Sequence, residues 1–193
     1  MQISNAGYLN FGSVMATENG TQVTITVPAG QDFISPVSGP ITILLNKGES
    51  YVVAANNQRN STRNGIIGTL FESNKPVVVN SGGIGSVSQV GDPGDQKGGF
   101  DYGIDQIVSA EKTGNEYIFI KGGGQNSWEN VLLIADQNNT SIKINGNPYS
   151  DSSGATVMSE GEYWMIEGDN YDSNGIMHIV SDNPNDKIFA YQF

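Results

Sequence analysis

The chain has 193 residues, enough to bury a core as one domain or two small ones, with 37% apolar residues, 15% charged residues and 25 glycines. Its formal net charge is −11 with only nine Lys and Arg, so the clustered cations that nucleic acid or an anionic membrane surface demands are missing. Cysteine is absent, which excludes disulfides, thiolate metal sites and Cys nucleophiles, and no run of about 18 apolar residues offers a membrane span.

In chain order, Met1-Gln2-Ile3-Ser4-Asn5 carries neither the basic nor the apolar region of a signal peptide. Period-two alternation over Thr21–Val27 places Val23, Ile25 and Val27 on one strand face. Strands are further expected at Ile41–Leu45, Ser50–Ala54, Ile66–Phe71, Val77–Asn80, Glu116–Lys121, Val131–Ala135 and Ser141–Ile144. Tyr163–Ile166, Ile176–Val180 and Lys187–Phe193 complete the set, and a chain that stops inside such a run reads as a piece of something longer. Asn19-Gly20, Asn64-Gly65, Asn145-Gly146 and Asn174-Gly175 are the dipeptides that accept positive φ at both centres of a type I′ hairpin turn. No stretch of a dozen residues keeps a helical period free of Gly, so the fold class is all-β.

The chain also says the same thing twice. Met15–Ile25 returns as Ile134–Ile144, Asn46–Val53 as Ser159–Ile166, Asn64–Ile66 as Asn174–Ile176, and Ser73–Pro76 as Ser181–Pro184. Order is kept while the offset shrinks from 119 to 113, 110 and 108 residues. From Gly65 to Ser73 is eight steps and from Gly175 to Ser181 six, an even change that keeps every side chain on its face of the sheet. The expected architecture is two related antiparallel β-sandwich-like units from an internal repeat. The first is 1–83, the second 128–193, and an unrepeated loop-rich segment, 84–127, connects them.

That segment holds Asp92, Asp95, Asp101 and Asp105 on a long Gly-rich polar stretch, a composition that suits the oxygen coordination of Ca²⁺. Residues 170–175 resemble the start of an EF-hand loop, but Asn170 stands at its first position and Ser181 at its twelfth, which favours a plain turn. The aromatics Tyr102, Trp128, Trp164 and Tyr171 lie in or near the second half and are candidates for a sugar or peptide platform. Tyr163 and Trp164 are adjacent on one strand, so one of the two belongs to the core. His178, the single histidine, falls in a strand-like run and reads as an ordinary hydrogen-bonding side chain. The sequons at Asn19, Asn60, Asn138 and Asn139 are what an Asn-rich chain produces by chance. No nucleophile motif, zinc motif or P-loop is present, and no enzyme is expected.

The phrases Gly68–Val79, Asp101–Ile107, Gly114–Ile118, Asn130–Ala135 and Asn138-Asn139-Thr140 together resemble the N-terminal type domain of IgG Fc-binding proteins. The resemblance runs over roughly residues 15 to 193. It implies an extracellular, non-catalytic, β-rich binding module within a longer protein, of the kind found in large Bacteroidetes cell-surface proteins linked to type IX secretion and gliding. It carries over no ligand residues. The expected function is adhesion or recognition of an extracellular glycan or a protein or peptide, beside neighbouring domains of the same chain. A structural spacer or self-assembling filament unit is the alternative, and a polysaccharide-acting enzyme a third.

Overall fold

A computed structural model of the chain describes residues 9–27, 40–55, 66–86 and 101–192. The described residues form β-strands joined by turns, with no α-helix among them, and every strand pair is antiparallel. They fall into two compact units, the first formed by the described residues up to 86 with 101–108 and the second by 109–192.

In the first unit, β1 (Leu9–Ala16) lies between β4 (Ser50–Ala54) and β6 (Val77–Ser86), and β7 (Asp101–Ile107) pairs with the far side of β6. The second sheet places β2 (Thr21–Thr26) between β3 (Ile41–Leu45) and β5 (Leu70–Ser73). Alternation does the work anticipated for it. Val23 and Ile25 of β2 are buried with Val14 and Ala16 of β1 and Val53 of β4, so the two sheets enclose one core.

In the second unit, β9 (Val131–Ala135) lies between β12 (Tyr163–Ile166) and β14 (Ile188–Gln192). Facing it, β10 (Ile142–Ile144) lies between β11 (Asn147–Pro148) and β13 (Ile176–Ser181), and β8 (Glu116–Ile120) flanks β13. Their core gathers Val131, Leu133, Ile142, Ile166, Met177 and Ile188 around Trp164 and Met158.

The two units share a plan down to register. Met15 pairs with Ser50 as Ile134 pairs with Tyr163, and Val14 with Tyr51 as Leu133 with Trp164. Val23 opposes Ser73 as Ile142 opposes Ser181, and Ala16 opposes Val77 as Ala135 opposes Ile188. Turn chemistry repeats too. The Thr21 hydroxyl donates to Glu18 O and the Thr140 hydroxyl to Gln137 O, both at 2.8 Å. The Gly48 N–H donates to Ala16 O at 2.8 Å and the Gly161 N–H to Ala135 O at 2.9 Å. Asn19 Oδ1 accepts from Lys47 N–H at 3.0 Å as Asn138 Oδ1 accepts from Glu160 N–H at 3.1 Å. The paired sequons at Asn19 and Asn138 therefore have a folding role, since their Asn and Thr side chains hold one turn in each unit. The strands that each unit adds to the shared plan, β7 and β8, both lie within 84–127.

Three expectations change. Residues 101–107 are strand rather than loop, so Asp101 and Asp105 stand on β7. The strand expected at Ile66–Phe71 begins only at Leu70, after a turn in which Gly68 takes φ 84°. Of the Asn-Gly pairs, Asn145-Gly146 has positive φ at both residues (50° and 82°). At Asn19-Gly20 and Asn174-Gly175 only the glycine does, and Asn64-Gly65 lies outside the described residues.

Candidate functional site

The aromatics and acids singled out in the sequence fall on different elements of the two units. Trp164 is 4% exposed in the core of the second unit, its ring tilted against Tyr149 with centroids 5.7 Å apart. It is the structural member of the Tyr163–Trp164 pair and presents no face to a ligand. Tyr102 and Asp101 lie on β7 of the first unit, and Asp92 and Asp95 lie outside the described residues. Asp105 is exposed on the same strand as Asp101. Four residues of extended chain separate their Cα atoms by about 13 Å, too far for both to reach one cation. No group of three or more acids and histidines converges among the described residues.

Trp128 and Tyr171 do come to related places. Trp128 belongs to the loop between β8 and β9, and Tyr171 follows the 3-10 turn Gly168–Asn170 after β12. Gly168 N–H donates to Asn126 O at 3.1 Å, which ties the two loops together. The close approach requires glycine, because a Cβ at 168 would meet Asn126 O at 2.5 Å and Glu129 O at 2.9 Å. Side chains extend the tie: Lys121 Nζ donates to Asn126 Oδ1, and Asn126 Nδ2 donates to Asp169 Oδ1.

The run Gly122-Gly123-Gly124 wraps a carboxylate. Glu129 Oε2 accepts from Gly122 N–H at 3.0 Å, and Oε1 from Gly124 N–H at 2.7 Å. Side chains at 122 or 124 would fill this cradle, since a Cβ at either would come within 2.7 Å of Oε1. The two amide donors hold the Glu129 carboxyl below its ordinary value. Tyr171 is half-buried, and its hydroxyl is pushed above the usual phenol value by burial and by the Glu129 charge. That hydroxyl accepts from Gln192 Nε2 at 3.1 Å, which also donates to Ile120 O at 2.7 Å. Asn145 Nδ2 anchors the 3-10 turn through Asn170 O at 2.9 Å.

The arrangement is a hydrogen-bonded pair of loops carrying two half-buried aromatic rings, a carboxylate held by two amides, an amine and carboxamides. It can stack on an apolar or sugar face and hydrogen-bond beside it. It holds no Ser, Thr or Cys nucleophile beside a histidine base among the described residues. His178, on the outer face of β13, makes the hydrogen bond expected of it, with Nε2 2.7 Å from Glu116 Oε1 on β8. Sequence inspection missed Lys121, Asn126, Glu129 and Asp169. The one local signal was the triple glycine, which forms a carboxylate cradle without matching any phosphate-loop pattern.

No helix of the described residues is long and apolar enough to cross a membrane. No curated protein matches the chain, and no solved structure does. The family described as IgGFc binding protein matches residues 2–193. With nearly its whole length covered, and with the all-β architecture that the shared phrases implied, the chain belongs to the IgGFc binding protein family.

Proposed function

We propose that the chain is a non-catalytic recognition module of an extracellular surface protein, and that the linked loops 121–130 and 167–172 of its second unit are the contact surface. The observation that carries this is the tie, through Gly168 and Asn126, between the loop that bears Trp128 and the loop that bears Tyr171. Aromatic side chains on rigid loops supply contact area at low entropic cost, which is what a recognition surface needs. The family name makes a protein partner the first ligand class to test, with a neutral glycan second. Calcium on the acids Asp92, Asp95, Asp101 and Asp105 is kept as a lesser proposal, since Asp101 and Asp105, four residues apart along β7, do not share an ion by themselves. The shared plan of the units is taken as a duplication, with 1–83 and 128–193 as the copies and 84–127 as the segment that diversifies them.

The test is binding of the chain to immobilised IgG Fc and to a glycan array, repeated with Trp128→Ala. Loss of at least tenfold in affinity, about 1.4 kcal/mol, with an unchanged melt is the expected result. Binding that survives Trp128→Ala, with the melt unchanged, places the contact surface elsewhere. The two-unit plan also supports a second role as a spacer or self-assembling unit of a surface filament. Light scattering that shows concentration-dependent oligomers, together with no binding in either screen, would favour that role.

A further inference from the structure

We propose that Lys121 and Asn126 are joined by an amide bond that the folded chain forms by itself, with Asp169 moving the protons. Three side chains are arranged in order for this reaction. Lys121 Nζ donates to Asn126 Oδ1, so the amine lies against the carbonyl end of the carboxamide, next to its electrophilic Cγ. Asn126 Nδ2, the nitrogen that would leave, donates to Asp169 Oδ1. The amine, the acyl carbon, the leaving group and a proton carrier are thus held within one set of contacts.

The partner of the amine is itself informative. Glu129 lies near enough to feel the Lys121 charge, yet the ion pairs of the described residues are Lys143–Asp182 and His178–Glu116. The Glu129 carboxylate is hydrogen-bonded to the amides of Gly122 and Gly124 and feels the Lys121 charge only as the smallest of its influences, and Asp169 is turned to the carboxamide nitrogen. The ammonium group is directed at an amide instead of a carboxylate, in a half-buried position. Both ends are fixed from behind. Lys121 N–H donates to Gly175 O at 2.8 Å at the end of β8, and Asn126 O accepts from Gly168 N–H at 3.1 Å. Holding reactants in one geometry substitutes for concentration by many orders of magnitude, so a reaction negligible between free Lys and Asn becomes accessible here.

The step balances without an oxidant or cofactor. The Lys121 ammonium gives up a proton, Nζ attacks Cγ of Asn126, and the tetrahedral centre collapses with cleavage of the Cγ–Nδ2 bond. The two protons that Nζ loses pass to solvent, and Asp169, hydrogen-bonded to Nδ2, delivers protons to the departing nitrogen. An ammonium and a carboxamide become a secondary amide and an ammonium ion. The product staples residues 121 to 126 and locks Gly122-Gly123-Gly124 in the pose that cradles Glu129.

Intact-mass spectrometry of the purified, denatured 193-residue chain tests this. The expected mass is one ammonia, about 17 Da, below that of the sequence, with Lys121→Arg at its full sequence mass. Cyclisation of Gln2 after loss of Met1, or a succinimide at an Asn-Gly pair, also releases ammonia, so the site has to be located. Proteolysis of the wild-type chain with tandem fragmentation should give a branched peptide joining 121 to 126 and no cleavage after Lys121. A wild-type chain at full mass, a deficit that persists in Lys121→Arg, or fragments that place it elsewhere would each overturn the proposal. In Asp169→Asn the staple should form slowly or not at all, and formation at the wild-type rate would remove Asp169 from the mechanism.

Discussion

At residue 168 a side chain has nowhere to go. The atoms facing its missing Cβ are Asn126 O, Asn126 Cα and Glu129 O, all backbone, which cannot rotate aside. Gly168→Ala is therefore expected to push the two loops apart and cost about 1–3 kcal/mol in urea denaturation. Gly123, in the loop that Gly168 packs against, has nothing within 4 Å of that position, so Gly123→Ala should leave the midpoint nearly unchanged. Equal effects of the two would show that the docking of the loops does not depend on contact at 168. Trp164 offers the opposite case, a large core side chain whose indole Nε1 is buried with no hydrogen-bond partner. Trp164→Phe removes the unmet donor along with some ring area and should change stability by less than about 1.5 kcal/mol, where Trp164→Ala costs about 3–5. Carboxylates set the pH response. Glu129 and Asp172 are held low by backbone N–H donors, Asp151 chiefly by the Ser153 hydroxyl, and Asp182 by Lys143 and Ser141. A folded pKa below the unfolded one contributes stability above the unfolded value and loses it as pH falls through the folded value. Asp136 has the opposite sign, raised by burial. The melting temperature should hold from pH 7 to about 5 and drop below about 4. A constant melting temperature down to pH 2.5 would show that these contacts contribute nothing to folding.

Among the elements, β7 depends most on a single small residue of its neighbour. Gly82 of β6 has Phe11 Cζ 2.6 Å and Gly103 O 2.8 Å from where its Cβ would sit. Phe11 can turn away, but Gly103 O belongs to the β7 backbone, paired with β6 through Gly83 and Gly82. Gly82→Ala is expected to loosen β7 selectively, so that amide exchange at 103–107 accelerates while β1 and β4 stay protected. Uniform acceleration across the sheet would argue against a local role. The same strand shows where sequence inspection loses contact with the fold. Val131–Ala135 and Ile41–Leu45 were legible to the residue, because apolar runs and alternation record burial directly. Asp101–Ile107 was not, because an edge strand exposes most of its residues. Its acids and glycine then look like a loop and serve to blunt the edge. The loop cluster was half legible for a related reason. Trp128 and Tyr171 stand out as aromatics, but nothing in the letters brings Gly168 to Asn126 across 42 residues of chain.

On the scale of the molecule, the two units have separate cores built on one register, which allows a comparison at matched positions. Ile25 and Ile144 are counterparts by the 119-residue offset. Both are buried, each on a strand with a neighbour on either side in its own sheet, and each belongs to a different core cluster. Truncation to alanine should cost about 2–5 kcal/mol in either case through lost burial and the cavity left behind. Where that cost appears is the informative quantity. With cores that share no residue, Ile25→Ala should speed amide exchange in β1 to β6 and leave 131–192 at the wild-type rate, and Ile144→Ala should do the reverse. That outcome would make the chain two folding units, so the linked loops of the second could be altered without risk to the first. If either substitution accelerated exchange throughout, the units would unfold as one. The repeated register would then describe their shared design while saying nothing of their independence, and changes to the loop cluster would have to be judged against the stability of the whole chain.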